Sequence, residues 1–305
     1  MGIDTHALLF LRRVCDTHGP LGKTATIGRQ AVHVPSQVAE KLIGVPIELD
    51  PGTFCETMLV RHFGSTVVHS FDNSDYEGAT HVFDLNDPLP TDFYDMYDTI
   101  IDSGSLEHIY DTRTVLNNIT SMLKPGGQVI HMNPSNNFCG HGFYQFSPEF
   151  YFSAYSSSRG FTNAEVFLAK VSNSRYWFYV KEPKGGQRAE VSSGLPLVCL
   201  VRAQKLTSGP LNTPVQQSDY VHHWGGDVSS RSSVKAPKVS RIKALLAKNR
   251  LIYAIAMRSY FSLIESAPYQ TYLYRWQSGL STRNKCLTKV PARQRHKLDS
   301  GDLNK

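Results

Sequence analysis

The chain has 305 residues, of which 41% are hydrophobic and 11% aromatic, a composition that excludes wholesale disorder and is sufficient for one globular domain with an appendage. No apolar run approaches the ~20 residues needed to span a bilayer, and the first residues lack the pattern of a secretory signal. The charge is uneven, because residues 231–305 hold 16 Lys and Arg against 3 Asp and Glu. We therefore expect an acidic body with a basic C-terminal tail.

The five cysteines predict neither a zinc site nor a disulfide framework. They are odd in number and scattered, and no two form a CxxC pair. This pattern is typical of a protein in a reducing cytoplasm. The sequence also lacks HExxH, GxSxG and P-loop motifs, so it gives no support to a metalloprotease, a serine hydrolase or a P-loop nucleotide hydrolase. We predict no metal ligands.

The first ninety residues alternate between helical and strand patterns, which is typical of an α/β fold. The predicted helices are Thr5–Asp16, Pro35–Ile43 and Thr53–Phe63, and the predicted strands are Thr24–Ile27, Thr66–Phe71 and His81–Phe83. Gly28 follows the first strand, and Asp72 and Asp84 follow the next two. A carboxylate at a strand end can accept hydrogen bonds from ribose hydroxyls. The alternative is that Asp72 caps the turn that it begins, and ribose binding is favoured over it.

Residues 97–134 form the most informative stretch of the sequence. Two strands, Thr99–Ile101 and Gln128–Met132, flank a helix that Asp111 is suited to cap, which makes one right-handed βαβ unit. Ser103 and Gly104 follow the first of these strands, and their small size lets a ligand approach the backbone closely. We predict that both line a binding site.

The same stretch resembles class I S-adenosylmethionine (SAM)-dependent methyltransferases. In that family a strand that begins with Tyr-Asp leads through Leu-Glu-His to a helix and a Leu-Lys-Pro-Gly-Gly turn. Here these motifs are Tyr97-Asp98, Leu106–His108 and Leu123–Gly127, in the same order. The resemblance implies a Rossmann-like, seven-stranded, mostly parallel sheet with helices on both faces, SAM as cofactor, and methyl transfer as the activity.

The resemblance also implies cofactor-binding residues. The loop at Gly28 would wrap the amino-acid end of SAM, Asp72 would bind the ribose, and Asp84 with the backbone of Leu85 would bind the adenine. The chain departs from the family at Gly28, where several glycines are usual. That departure favours an alternative of another class, a non-catalytic binding module with a degenerate methyltransferase fold.

A loop of glycines and aromatics, residues 139–146, surrounds His141. A hydroxyl acceptor must lose its proton, and histidine titrates near neutrality. His141 is the first candidate for this base, because acceptors enter the family's fold at this loop, and His108 is the second. Each also fits a structural imidazole. Tyr144 and Gln145 are predicted to orient the acceptor, which family analogy makes a small molecule or a saccharide or glycolipid that is O-methylated.

The remaining sequence divides into the end of the sheet, a linker and a tail. Ser147 is suited to cap a helix, and strands are predicted at Ala164–Ala169, Tyr176–Val180 and Leu197–Val201. We predict a methyltransferase-like domain over residues 1–206, a linker over 207–237, and a basic helical extension with a frayed end over 238–305. Its helix is predicted at Lys238–Ser266.

Three explanations fit the basic extension. These are a docking element for an anionic partner, a clamp within the chain or a homodimer, and a solvated tail. A membrane or phosphorylated glycolipid surface is favoured over nucleic acid, because the sequence has no RNA-binding motif. We therefore expect a cytoplasmic protein that lies at the inner membrane surface if its tail docks there.

Overall fold

The computed structural model of the chain describes residues 2–44, 53–207, 214–225, 249–265 and 279–293. Its helices are α1 (Thr5–His18), α2 (Ser36–Ile43), α3 (Glu56–Phe63), α4 (Thr112–Met122), α5 (Pro148–Ala154), α6 (Ser218–Gly225) and α7 (Arg250–Glu265). Its strands are β1 (Gly2–Ile3), β2 (Gly22–Ile27), β3 (Ala31–Val32), β4 (Ser65–Asp72), β5 (His81–Val82), β6 (Tyr97–Asp102), β7 (Leu123–Asn136), β8 (Phe161–Lys170), β9 (Tyr176–Val180), β10 (Leu197–Lys205) and β11 (Leu287–Pro291). Within these residues no helix has the length and apolarity to cross a membrane.

The described residues form one nine-stranded sheet in the order β11-β9-β8-β10-β7-β6-β2-β4-β5. The strands from β7 to β5 are parallel to their neighbours, whereas β10 is antiparallel to both β7 and β8. Strands β9 and β10 thus run opposite to the others. The predicted α/β fold with a mostly parallel sheet is confirmed, and the sheet has two strands more than the seven predicted. Strands β1 and β3 form a separate parallel pair.

Helices cover both faces of the sheet, as predicted. Because side chains alternate along a strand, the neighbours Ile100 and Ile101 of β6 enter different cores. Ile101 packs in a core with residues of α1, α2 and α3, while Ile100 packs in a second core with residues of α4 and α5. A strand buried on both faces explains why this stretch of the sequence is a continuous apolar run.

Two side-chain caps fix where helices begin after the strands. Asp111 accepts a hydrogen bond from the Thr114 amide at 3.0 Å, and Ser147 accepts one from the Phe150 amide at 3.3 Å. Both caps were predicted, and each satisfies an amide that the first turn leaves unpaired. They set the length of the loops that leave β6 and β7, and these loops carry the candidate histidines.

The predicted turn at Lys124–Gly127 is a bulge inside β7. Leu123 already pairs with Tyr97, and the register then shifts so that Gln128 pairs with Thr99. The Lys124 ammonium lies 2.7 Å from a carboxylate oxygen of Asp98 and ties the bulge to β6. Helix α4 therefore passes into the sheet without a separate loop.

The C-terminal extension differs from its prediction at one place. Leu287–Pro291 was predicted to be frayed but forms β11, which pairs antiparallel with β9. Leu287 is buried, and the Lys289 ammonium lies 3.7 Å from the ring centroid of Tyr176, so packing and a cation–π contact hold this edge strand.

The predicted linker and basic helix fall partly outside the described residues. Within the linker span, 208–213 and 226–237 lie outside them, and 218–225 forms α6. Of the helix predicted at Lys238–Ser266, 238–248 and 266 lie outside, and α7 forms the rest. Helix α7 exposes Leu251, Ile252 and Ile255. The boundaries and the role of the extension stay predictions.

The two glycines of the β7 bulge offer a matched test. An added Cβ on Gly127 would lie 2.9 Å from the Lys124 carbonyl and 3.1 Å from that of Tyr97, whereas Gly126 has φ +84° and open space. We expect Gly127→Ala to lower the free energy of unfolding by roughly 3 kcal/mol and Gly126→Ala by about 1 kcal/mol. Urea unfolding measures both, and equal losses would contradict the bulge geometry.

Candidate active site

The carboxyl ends of the parallel strands meet at one edge of the sheet and carry most of the predicted site residues. Gly28 follows β2, Asp72 ends β4, and Ser103 and Gly104 follow β6. His131 and Asn133 lie in the second half of β7, beside the end of β6. In open α/β sheets this edge is where ligands bind.

The turn at Gly28 is closed by side chains rather than by further glycines. The side chain of Gln30 is fully buried. Its Nε2 donates to the Ile27 carbonyl at 2.5 Å and to the Ser105 hydroxyl at 2.9 Å. Gly28 has φ +71°, and an added Cβ there would meet Ser105 Oγ at 2.6 Å. Gln30 Oε1 is buried and has no hydrogen-bond partner among the described residues. The turn therefore presents an unsatisfied acceptor.

Asp72 and Asp84 lie close together at the ends of β4 and β5. Asp72 is in register with Val82, and its carbonyl accepts from the Phe83 amide at 2.7 Å. In the described part of the chain, the Asp72 carboxylate accepts one long hydrogen bond, which comes from the Arg29 amide at 3.3 Å. Within that part it accepts none from the turn that follows it. The carboxylate therefore does not cap that turn in the described residues, and its role as a ligand stays a prediction.

Asp84 is hydrogen-bonded within its own turn, and its role toward the adenine stays a prediction. Its Oδ1 accepts from the Asn86 amide at 2.9 Å and from the Asn86 side chain at 2.8 Å, which makes it a turn residue. The carboxylate is nevertheless exposed at the sheet edge, so its second oxygen can reach a ligand. Leu85 is buried, and its carbonyl accepts from the Asn118 side chain at 3.2 Å. Asn118 thus fixes the loop.

Arg29, for which the sequence predicted no role, lies beside Asp72. Its guanidinium lies 2.7 Å from Glu56 Oε1, donates to the Glu77 carbonyl at 2.6 Å, and lies 4.0 Å from the ring centroid of Phe54. These contacts tie the start of α3 to the loop that follows β4. The only sequence signal was its place directly after Gly28.

A fully buried polar network lies beneath the edge. Asp102 Oδ2 accepts from His131 Nδ1 at 2.8 Å and from the Asn133 side chain at 2.9 Å. The Tyr155 hydroxyl donates to the other nitrogen of His131 at 2.6 Å, and the Tyr151 hydroxyl donates to Asn133 Oδ1 at 2.6 Å. Burial raises the pKa of both tyrosines well above the ordinary value, so both remain donors.

Glu107 links this network to the exposed His141. It is 1% exposed, and its Oε2 accepts from the Asn133 side chain at 3.0 Å. Its Oε1 has no hydrogen-bond partner within the described residues and lies 3.4 Å from His141 Nε2. Burial first, and then the charge of Asp102, raise the pKa of Glu107 to about 7. The sequence placed Glu107 in a motif without giving it a role.

The structure brings the two candidate bases together. The His108 and His141 rings have centroids 4.9 Å apart and planes inclined by 75°. The contact between the two rings depends on Gly142, whose φ is +70°. The backbone at Gly142 lies so close to Glu107 that an added Cβ would be 2.7 Å from the Glu107 carbonyl. The Phe143 amide donates to the same carbonyl at 2.7 Å. Burial lowers the pKa of His108, as does the neighbouring His141.

A cavity of about 160 Å³ opens beside this cluster. Ser103, Gly104, Glu107 and His141 line it, together with Gly2 and other residues of the N-terminal segment, β7 and β10. Ser103 also donates to the Gly2 carbonyl at 2.8 Å, which fixes the N-terminal segment over the edge. Three of the predicted site residues and Glu107 can therefore touch one small ligand.

Tyr144 and Gln145 brace the loop instead of lining this cavity. The Tyr144 hydroxyl donates to the Tyr110 carbonyl at 2.8 Å, and Gln145 Oε1 accepts from the Phe138 amide at 2.8 Å. Their role toward an acceptor stays a prediction. A larger depression, about 440 Å³, lies between α4 and α5 beside Arg159 and holds none of the predicted site residues.

No protein-family model and no curated protein matches the sequence. Solved structures with a similar fold include a possible histamine N-methyltransferase from Thermotoga maritima, with 16% identity, a TM-score of 0.33, and coverage of 66% of this chain and 91% of that one. The N-methyltransferase NodS from Bradyrhizobium japonicum has 15% identity, a TM-score of 0.37 and coverage of 66% and 94%. A Burkholderia thailandensis N1-methyltransferase with bound S-adenosylhomocysteine has 13% identity, a TM-score of 0.35 and coverage of 66% and 80%.

The buried network predicts an unusually costly substitution at Asn133. Asn133→Ala removes the donor shared by Asp102 and Glu107 and leaves the Tyr151 hydroxyl unpaired. We expect a loss of roughly 2–4 kcal/mol in the free energy of unfolding, measured by urea titration. Asn136→Ala is the matched control on the same strand, because its partly exposed side chain donates to the Ser193 carbonyl at 2.8 Å. Its loss should stay near 1 kcal/mol, and equal losses would contradict a special role for the network.

Proposed function

We propose that the chain is a SAM-dependent methyltransferase that methylates an oxygen of a small-molecule or saccharide acceptor. The observation that carries this proposal is that two candidate sites, one for the cofactor and one for the acceptor, lie next to each other at the same edge of the sheet. Asp72 and Asp84 stand at the ends of β4 and β5, and the cavity with Glu107 and His141 lies at the ends of β6 and β7. A donor and an acceptor must lie side by side for group transfer.

The residues at the edge fit the cofactor in spite of the missing glycines. The Asp72 carboxylate has acceptor capacity for the ribose hydroxyls, and Asp84 with the backbone of Leu85 suits the adenine. The buried acceptor Gln30 Oε1 beside Gly28 suits the ammonium of the amino-acid end, which needs acceptors there. When bound, SAM supplies a methyl group on a positively charged sulfur.

The cavity wall suits the deprotonation that a hydroxyl acceptor requires. A hydroxyl must lose its proton as the methyl group arrives, and the cavity wall carries the His141 imidazole and the Glu107 carboxyl, whose pKa of about 7 suits proton exchange near neutrality. The small volume suits one compact group, such as a small molecule or a terminal sugar.

One observation favours the second candidate, a non-catalytic binding module. The side chains of Gln30 and Ser105 both bond to the Ile27 carbonyl, each at 2.5 Å, and fill the turn where the resembled family has glycines. A module of this kind would use the cavity for a partner and would not bind SAM. Cofactor binding therefore separates the two candidates.

Calorimetric titration of SAM and S-adenosylhomocysteine into the full chain tests the proposal. We expect micromolar binding that Asp72→Ala and Asp84→Ala each weaken at least tenfold, since each removes acceptors for the nucleoside, and tenfold corresponds to ~1.4 kcal/mol. Asp75→Ala is the matched control, because Asp75 is exposed in the turn that follows Asp72. Its affinity should be unchanged.

Failure of both ligands to bind a folded protein would reject the enzyme and favour the binding module. Binding that is insensitive to Asp72→Ala and Asp84→Ala would also reject the site as assigned, because the cofactor would then lie elsewhere.

A further inference from the structure

We propose that Glu107, His108 and His141 bind a divalent transition-metal ion of the class of Zn²⁺ or Co²⁺. One ligand atom from each of the three side chains lies within 4.8 Å of the others. Two imidazole nitrogens and one carboxylate oxygen suit zinc, cobalt, iron or nickel, whereas magnesium and calcium prefer oxygen alone. The sequence predicted no metal ligands, because His141 lies far along the chain from the other two residues.

An unsatisfied buried oxygen points to a ligand at this place. Glu107 Oε1 belongs to a side chain that is 1% exposed, and it has no hydrogen-bond partner in the described part of the chain. Buried carboxylates are normally paired or bound to metals. A cation between the three side chains would satisfy Oε1.

The spacing of the nearest pair fits a shared ion. His141 Nε2 and Glu107 Oε1 are 3.4 Å apart, without being hydrogen-bonded. Tetrahedral coordination with metal–ligand bonds of ~2.0–2.1 Å places neighbouring ligand atoms roughly 3.3 Å apart. Both imidazoles are exposed, and one ligand atom of His108 lies within 4.8 Å of the other two.

The surroundings orient the ligands in the way that metal sites require. Asn133 donates to Glu107 Oε2 at 3.0 Å and is itself fixed by Asp102 and Tyr151, so it holds the carboxylate with Oε1 directed toward His141. Such supporting hydrogen bonds are characteristic of metal-binding carboxylates. The bond from the Phe143 amide to the Glu107 carbonyl fixes the loop that carries His141.

Three protein ligands leave at least one coordination position open. Glu107 and His141 both line the cavity of about 160 Å³, so the open position faces a space that a ligand can enter. This arrangement is typical of a catalytic rather than a structural ion, and such an ion polarises an oxygen bound to it. Metal binding itself does not depend on the proposed methyl transfer, and with the ion bound Glu107 and His141 are its ligands, so the polarising ion takes the place of their proton exchange.

Cobalt titration of the chelator-treated full chain tests the site without SAM or an acceptor. We expect one Co²⁺ per chain, seen as visible absorption bands that Zn²⁺ abolishes. Binding should weaken at least tenfold in His141→Ala and in Glu107→Gln, which keeps the shape of the side chain. Circular dichroism verifies that each variant is folded, and His141→Ala alters a side chain that is half exposed.

His18→Ala is the matched control. His18 Nε2 lies 2.9 Å from Glu165 Oε2, so this variant removes another histidine–carboxylate pair and leaves the proposed site intact. Its Co²⁺ affinity should equal that of the unaltered chain. The proposal is overturned if the folded chain gives no visible bands, if the bands persist unchanged in His141→Ala and Glu107→Gln, or if His18→Ala weakens binding as much as they do.

Discussion

The buried carboxylate of Asp102 is the point on which the site depends. It lies at the end of β6 without any exposure, and a buried charge persists only when hydrogen bonds surround it. Two amides of the following loop, an imidazole and a carboxamide of β7 supply those bonds. The same bonds fix the loop that begins at Ser103 and lock the ends of two neighbouring strands together.

The character of Glu107 follows from this constraint. The Asn133 side chain donates to both Asp102 and Glu107, so Glu107 is held in the interior, where its carboxylate accepts one hydrogen bond from the described residues although it could accept several. Burial, and then the negative charge of Asp102, disfavour the ionised form of Glu107. A carboxyl that is buried, incompletely bonded and directed at two histidines is costly to maintain, which is why we assign function to it.

The fold could be predicted to a greater extent than the site. Apolar periodicity and caps such as Asp111 are local signals, and they predicted most strands and helices. Strand β11 was not predicted, because it forms by pairing with β9, which is distant in sequence. The strand-end residues Asp72 and Asp84 were found because parallel strands end at one edge. The contact between His108 and His141 depends on the backbone at Gly142, and the filling of the turn by Gln30 depends on Ser105. Neither has a signal in a single sequence.

A crystal structure of the protein with S-adenosylhomocysteine would test the central claim most directly, because that claim is a spatial relation between two sites. We expect S-adenosylhomocysteine to bind with its ribose at Asp72 and its adenine at Asp84 and Leu85. Its sulfur should be directed toward the cavity beside Glu107 and His141. A nucleoside bound away from Asp72, or a sulfur that faces away from that cavity, would contradict the claim.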